Sequence, residues 1–249
     1  MSQQRIGCMD FPYKAVLFDW AYTLVDLVNE EDRTALQGVY DHLKEQGFAL
    51  PGFQQWYDTY HRLFFGMIEI SRPTHREARF DHVLNYLLMQ SNIHLNGKVR
   101  IEDLLKIYYD QIYSYRKVYP EMIETLVALQ EAGVRMGIIS NTTNLGFMKD
   151  YEQSLLGLDP YFEFSIYSSE VPYRKPHSSI FQLALARLSL NPSEVLFVGD
   201  NLKADVVGAQ SVGMPTAWLN RNEKTLPLDI IPDYQIRTTT ELLTLPNKA

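Results

Sequence analysis

AVLFDWAYTLVD, residues 15–26, decides how this chain folds. Four apolar residues, Ala15 to Phe18, run directly into Asp19, and Thr23 follows four positions later. A short, continuously apolar run is the signature of a strand buried on both faces, as in a parallel sheet. A carboxylate at its carboxyl end stands where open α/β sheets collect their ligands. The same texture recurs outward from this stretch. KAVLF (Lys14 to Phe18), VRMGII (Val134 to Ile139), FEFSIYS (Phe162 to Ser168), VLFV (Val195 to Val198), PTAWL (Pro215 to Leu219) and DYQI (Asp233 to Ile236) are all short, apolar or β-prone runs. Amphipathic stretches between them, such as Glu121 to Ala132 and a segment beginning near Ser178, predict crossover helices. Pro120 suits the first turn of the former and Gly133 its C-terminal stop. The expected fold class is α/β, with a doubly wound parallel sheet.

Residues 28–115 have a different texture. They lack such strands and carry long helical periodicities, for example Thr34 to Gln46, Arg79 to Met89 and a tyrosine-rich stretch from Ile101 to Tyr115. The spacing predicts a helical cap at 28–115 inserted into a core made of 1–27 and 116–249. Trp56, Tyr57 and Tyr60 fall near one helical face, which reads as core packing.

Composition bounds the function. The chain of 249 residues is 46% apolar and 21% charged, enough for a sizeable core. Lys plus Arg number 23 against 30 acidic residues, a formal charge of -7, so there is no electrostatic case for nucleic acid or an anionic membrane surface. Cys8 is the only cysteine, which excludes an intrachain disulfide and paired-thiolate metal sites. No apolar run approaches the ~18 residues of a membrane span, and MSQQRIGCMD, residues 1–10, has no apolar signal core. A cytoplasmic protein, monomer or homodimer, is expected.

Four places carry chemistry. Asp19 can coordinate a hard cation or attack an electrophile, and attack on phosphorus becomes feasible once a metal offsets the repulsion between anions. Ser140 and Asn141 follow a strand in GIISNTTN, where a hydroxyl and backbone N–H groups can hold a phosphoryl oxygen. Lys175 in VPYRKPHSS can neutralise both a nucleophile and a transferring phosphate. Asp200 and Asp205 in VGDNLKAD make a magnesium-sized oxygen site. Each has a structural alternative: helix or loop capping for Asp19 and Ser140, a solvated loop lysine for Lys175, and a loop position for the neighbouring His177. Their order, each just beyond a strand, is what argues for a site.

These motifs together, Asp19 to Thr23, Ser140, Lys175 and Asp200 to Asp205, resemble those of the haloacid dehalogenase-like hydrolases over nearly the whole chain. The resemblance implies a Rossmann-like core with a helical cap. It implies that Asp19 is the nucleophile of an aspartyl-phosphate mechanism on a small phosphorylated metabolite, and that Mg²⁺ is held by Asp19, Asp200 and the backbone carbonyl of Ala21. Ser140 and Lys175 would bind the phosphoryl group, with Asp205 supporting Lys175 or the metal from behind. Thr23, Asn141, Arg76 and Arg79 are the candidate substrate contacts, the two arginines belonging to the basic cluster SRPTHREARF that also holds Arg72 and His75. Pairing of that cluster with Glu69, Glu77 and Asp81 is the alternative. Substrate choice is expected to lie in the cap.

The pattern breaks two residues past the nucleophile. Phosphatases of this superfamily carry a second Asp there to protonate the leaving group, and here the residue is Ala21; the usual glycine after it is Tyr22. Ala at this place resembles the phosphonoacetaldehyde hydrolases, which depend on a cap lysine, but no lysine lies between Lys44 and Lys98. True 2-haloacid dehalogenases have an aromatic residue there, and GDNLKAD is of phosphatase type. A Mg²⁺- and phosphate-binding protein with weak turnover is the reading from another class.

Overall fold

In the computed structural model, which describes residues 11–27, 31–95 and 97–246, the first element among the described residues is a strand, β1 (Ala15–Phe18), buried along its whole length. The Asp19 to Leu24 turn leads into the short β2 (Val25–Asp26). Four helices follow: α1 (Asp32–Glu45), α2 (Phe53–Ser71), α3 (Phe80–Gln90) and α4 (Ile101–Tyr113). β3 (Lys117–Val118) then pairs antiparallel with β2, so the chain enters and leaves the helical insert through adjacent strands. Beyond it come α5 (Met122–Glu131), β4 (Arg135–Ser140), α6 (Gly146–Leu155), β5 (Phe164–Tyr167), α7 (Ser178–Leu188) and β6 (Val195–Gly199). A π-helical turn, Leu202–Val207, runs into α8 (Gly208–Gln210), followed by β7 (Thr216–Leu219), β8 (Tyr234–Ile236) and a closing 3₁₀ turn at Thr239–Thr244.

Six strands form one sheet in the order β5-β4-β1-β6-β7-β8, with every neighbouring pair parallel. The chain winds outward from β1 in both directions, which makes this an α/β Rossmann-like fold and puts the switch point of the topology at the carboxyl end of β1. Alternate residues of β1 serve opposite faces. Val16 and Phe18 pack with Leu126 and Leu129 of α5, and Ala15 and Leu17 with Ile180, Phe181 and Ala184 of α7. Helices α1 to α4 bury a cluster of their own, including Leu36, Trp56, Tyr60, Leu84 and Tyr108, which Met148 of α6 joins.

All six expected strands are present, displaced by one or two residues at their ends. Pro120 does not open α5: the helix begins at Met122, and Pro120 sits in the turn closed by Met122 N–H donating to Tyr119 C=O at 3.0 Å. Proline fits there because its fixed φ suits the second position of a turn. Gly133 does terminate α5, with a φ of +75°. The helical face expected at Trp56, Tyr57 and Tyr60 belongs to α2, whereas α6 has no counterpart among the expected elements. The expected boundary at Val28 and the thiol of Cys8 lie outside the described residues. No helix among the described residues is long and apolar enough to cross a membrane.

Candidate active site

Pairing of β1 with β6 places the site. Phe18 lies beside Val198, and the Asp19 N–H donates to the Val198 carbonyl at 2.9 Å, so the Asp19 side chain emerges next to the Gly199–Asp200 end of β6. The turn after it closes with Leu24 N–H on Trp20 C=O at 2.9 Å, which lets the buried Thr23 hydroxyl donate back to Asp19 Oδ2 at 3.3 Å. Tyr22 takes a φ of +61° in that turn, a left-handed conformation costly for a bulky side chain and natural for glycine. Asp200 is anchored through its own carbonyl, which accepts from the Trp218 indole at 2.9 Å.

Asp205 reaches the same point because Asn201 caps the π-helical turn: its Oδ1 accepts from the N–H groups of Lys203 and Ala204 at 3.1 and 2.9 Å. The turn then folds Asp205 back onto Gly199, and its Oδ2 accepts from the Asn201 N–H at 3.0 Å. A Cβ at position 199 would lie 2.7 Å from that of Asp205, so only glycine fits. Lys175 arrives from the loop after β5. Asn141 clasps its backbone from both sides, accepting from Lys175 N–H at 2.8 Å and donating to Lys175 C=O at 2.9 Å. The ammonium ends 2.6 Å from Asp19 Oδ1 and 2.7 Å from Asp205 Oδ1.

Three carboxylates and one ammonium are therefore packed together in a largely buried place. Burial alone would depress the Lys175 ammonium, but Asp19 and Asp205 outweigh it and hold the proton on. Burial and then the neighbouring Asp19 push the Asp200 carboxyl up to about 6. Burial also raises Asp205, against the pull of Lys175. One oxygen from each of Asp19, Asp200 and Asp205 lies within 4.8 Å of the others. With all groups ionised the cluster carries two uncompensated negative charges and only hard oxygen donors, a set that fits Mg²⁺ and does not fit a thiophilic metal.

The cluster opens into a cavity of about 710 Å³. Asp19, Ala21, Asn141, Lys175, Asp200 and Asp205 line it, as do Tyr22, Asp26, Tyr119, Arg174, Arg221 and Lys224. Ser140 is buried at the end of β4 and, like Thr23, is not part of the lining. Neither arginine expected from the insert reaches it. Arg79 precedes α3 and forms a two-bond pair with Asp81 at 3.0 and 2.9 Å, and Arg76 is exposed over the Tyr173 ring. None of residues 31–115 lines the cavity among the described residues. The insert is instead docked beside it: Glu77 accepts from the Ser168 hydroxyl at 2.6 Å and pairs with Arg174 at 3.5 Å, and the Phe80 N–H donates to Thr143 C=O at 2.8 Å. Arg174, Arg221 and Lys224 were not foreseen in the sequence. Adjacency to Lys175 was a signal for the first, and the position just past a strand's carboxyl end for the other two.

Comparison with known proteins matches this arrangement to a family. Residues 13–213 fit the sequence profile of the haloacid dehalogenase-like hydrolases. The chain belongs to that family. This hydrolase is 29% identical over 238 residues to the glyceraldehyde 3-phosphate phosphatase of Pyrococcus furiosus, covering 92% of this chain and 91% of the relative. Two other relatives of the same name are 35% and 34% identical, but the chain spans only 59% and 58% of their length. Among solved structures, the HAD phosphatase of Thermococcus onnurineus is 29% identical with a TM-score of 0.63, covering 93% of this chain and 96% of that one. The 2-haloacid dehalogenase of Pseudomonas syringae pv. Tomato superimposes with a TM-score of 0.69 at 24% identity over 93% and 98% of the two chains, a likeness of fold alone.

Proposed function

We propose that this hydrolase is a Mg²⁺-dependent phosphatase acting on a small, soluble phosphorylated metabolite, with the helices of residues 31–115 as its cap. The observation that carries the reading is the convergence of Lys175 on Asp19 and Asp205, at 2.6 and 2.7 Å, beside Asp200. Asp19, Asp200 and the Ala21 carbonyl would hold Mg²⁺, whose charge offsets the repulsion between Asp19 and a phosphate dianion. The Asp19 carboxylate attacks phosphorus, the P–O bond to the leaving group breaks, and that oxygen departs with the bonding electrons. Lys175 faces the phosphoryl oxygens as negative charge shifts, and Asp205 and the Asn141 clasp keep it aimed. Water then attacks the aspartyl-phosphate at phosphorus and returns Asp19 as a carboxylate with release of phosphate. The names of the relatives matched over most of their length, a glyceraldehyde 3-phosphate phosphatase and a ribulose-1,5-bisphosphate 5-phosphatase, support a small sugar phosphate of triose to pentose size. The formal charge of -7 weighs against nucleic-acid or anionic-membrane partners, and the proposal is completed by a cytoplasmic setting and a monomer or homodimer.

A carbon–phosphorus hydrolase would need an amine from the cap, and Lys44, Lys98 and Lys106 are all absent from the cavity lining. Ala21 alone favours the second reading, a metal- and phosphate-binding protein with little turnover. p-Nitrophenyl phosphate hydrolysis with Mg²⁺ separates them. The phosphatase reading expects product, none with Asp19→Asn at any metal concentration, and a phosphate trapped on the Asp19 peptide in mass spectrometry of the quenched wild type. No product from the wild type, or product that survives Asp19→Asn, overturns it.

A further inference from the structure

Four cations line the cavity: Arg174, Lys175, Arg221 and Lys224. Three are committed to protein carboxylates. Arg174 faces Glu77, Lys175 faces Asp19 and Asp205, and Arg221 pairs with Glu121. Lys224 has no ion-pair partner among the described residues, although it lies close enough to Asp200 to draw that carboxyl's pKa down.

The turn that presents it is built, not loose. Asn220, buried at the end of β7, accepts from Lys224 N–H at 2.8 Å and donates to Lys224 C=O at 2.9 Å. That clasp has the same form as the one Asn141 places on Lys175. Glu223 supplies the left-handed residue that closes the turn, at a φ of +50°. Next to the clasp, Arg221 lies 3.8 Å above the Tyr119 ring and donates to the Thr23 carbonyl at 3.3 Å, which ties the turn to the segment carrying the nucleophile. Such anchoring fixes the backbone that presents Lys224, an exposed cation with no ion-pair partner among the described residues. The cavity, at about 710 Å³, is also far larger than a phosphoryl group needs and within the range of sites for whole metabolites.

Taking the phosphatase reading as its basis, we infer that the 220–224 turn is the specificity element of the site, and that Lys224 binds a second anionic group, a carboxylate or a second phosphate, at the far end of the substrate. Arg221 is a positioning residue that locks the turn. Selection would then come from the core, since none of the described residues of the insert lines the cavity.

Matched pairs test this: 3-phosphoglycerate against glycerol 3-phosphate, and fructose 1,6-bisphosphate against fructose 6-phosphate. The wild type is expected to favour the doubly anionic member of at least one pair by about tenfold in kcat/KM, the scale of one charge-assisted contact. In Lys224→Ala that ratio collapses towards one, mainly through KM, and in Lys224→Glu it inverts. Absence of preference in the wild type, a preference that survives Lys224→Ala, or an equal loss on both members overturns the inference. If neither these alkyl esters nor p-nitrophenyl phosphate is turned over, the phosphatase reading fails by itself. Calorimetric titration of the same pairs into wild type and Lys224→Ala with Mg²⁺ then decides the role of Lys224 by the same ratio.

Discussion

At the scale of single residues, Ala21 makes the sharpest claim. It lines the cavity two positions after Asp19, the proposed nucleophile, and puts no carboxylic acid at that position to protonate a departing alkoxide. A positioned acid is worth roughly 10²–10⁴-fold, so hydrolysis should be fast only for leaving groups that depart unprotonated, and rates across a series of aryl and alkyl phosphates should rise steeply as leaving-group pKa falls. Ala21→Asp is expected to speed simple alkyl monoesters by up to ~10²-fold. Equal rates on aryl and alkyl esters would instead make Tyr22, whose strained turn puts it on the same cavity wall, the first candidate for the proton donor. The residues that were legible from sequence, Asp19, Lys175, Asp200 and Asp205, owe this to their placement: each follows a strand, and parallel strands end on one side of the sheet. Arg76 and Arg79 misled for the complementary reason. Clustered charge says nothing about which way a helix pair faces, and Arg79 spends its guanidinium on Asp81. For Asn141, the sequence showed a polar residue at the right strand end but not that its carboxamide would be engaged with the Lys175 backbone.

Strands were legible at the scale of elements because a parallel sheet covered on both faces demands unbroken apolar runs, and β1, β6 and β7 are buried at every position. Helix α6 was not legible, for a physical reason visible in its residues. It is turned inside out: Phe147, Tyr151 and Leu155 are 52, 43 and 59% exposed, while Lys149 and Glu152 are buried. Glu152 accepts from the Trp20 indole at 3.3 Å, pairs with Arg116 Nε at 3.2 Å and meets Lys149, whose ammonium also sits 4.6 Å from the Trp20 ring. One carboxylate thus joins α6, Trp20 next to Asp19, and Arg116 just before β3. Glu152→Gln removes the charge that Lys149 and Arg116 share in a buried setting, where breaking a pair costs about 3–5 kcal/mol. Urea denaturation should show a loss of that size, with turnover of the folded variant largely kept, since the amide oxygen of Gln can still accept from the Trp20 indole beside Asp19. A loss below ~1 kcal/mol would mean that the cluster is solvated and not structural.

For the whole molecule, the site is a liability to the fold until it is filled. Asp200 has a usual value of 3.8 and is pushed up to about 6 in the native protein, so the native state holds that proton more tightly than the unfolded chain does. A carboxyl shifted in this direction favours folding in acid and costs stability as pH rises through about 6. The shift corresponds to about 3 kcal/mol at neutral pH. At the proposed metal site a divalent cation would reverse that cost, taking the place of the proton as the partner of the carboxylates and binding only the folded arrangement. Below the native pKa the ion must displace a proton, and its apparent affinity falls by up to about tenfold per pH unit. Millimolar Mg²⁺ should therefore raise Tm, relative to EDTA, more at about pH 7.5 than at about pH 5. Asp200→Asn separates this account from a general salt effect. It removes both the cost and the ligand, so the metal-free variant should melt above the metal-free wild type at neutral pH, lose most of the Mg²⁺-induced rise, and no longer show the difference between the two pH values. A variant that melts lower without metal, or keeps the full Mg²⁺ response, would show that the buried carboxylates are balanced from within the protein and that the ion is held elsewhere.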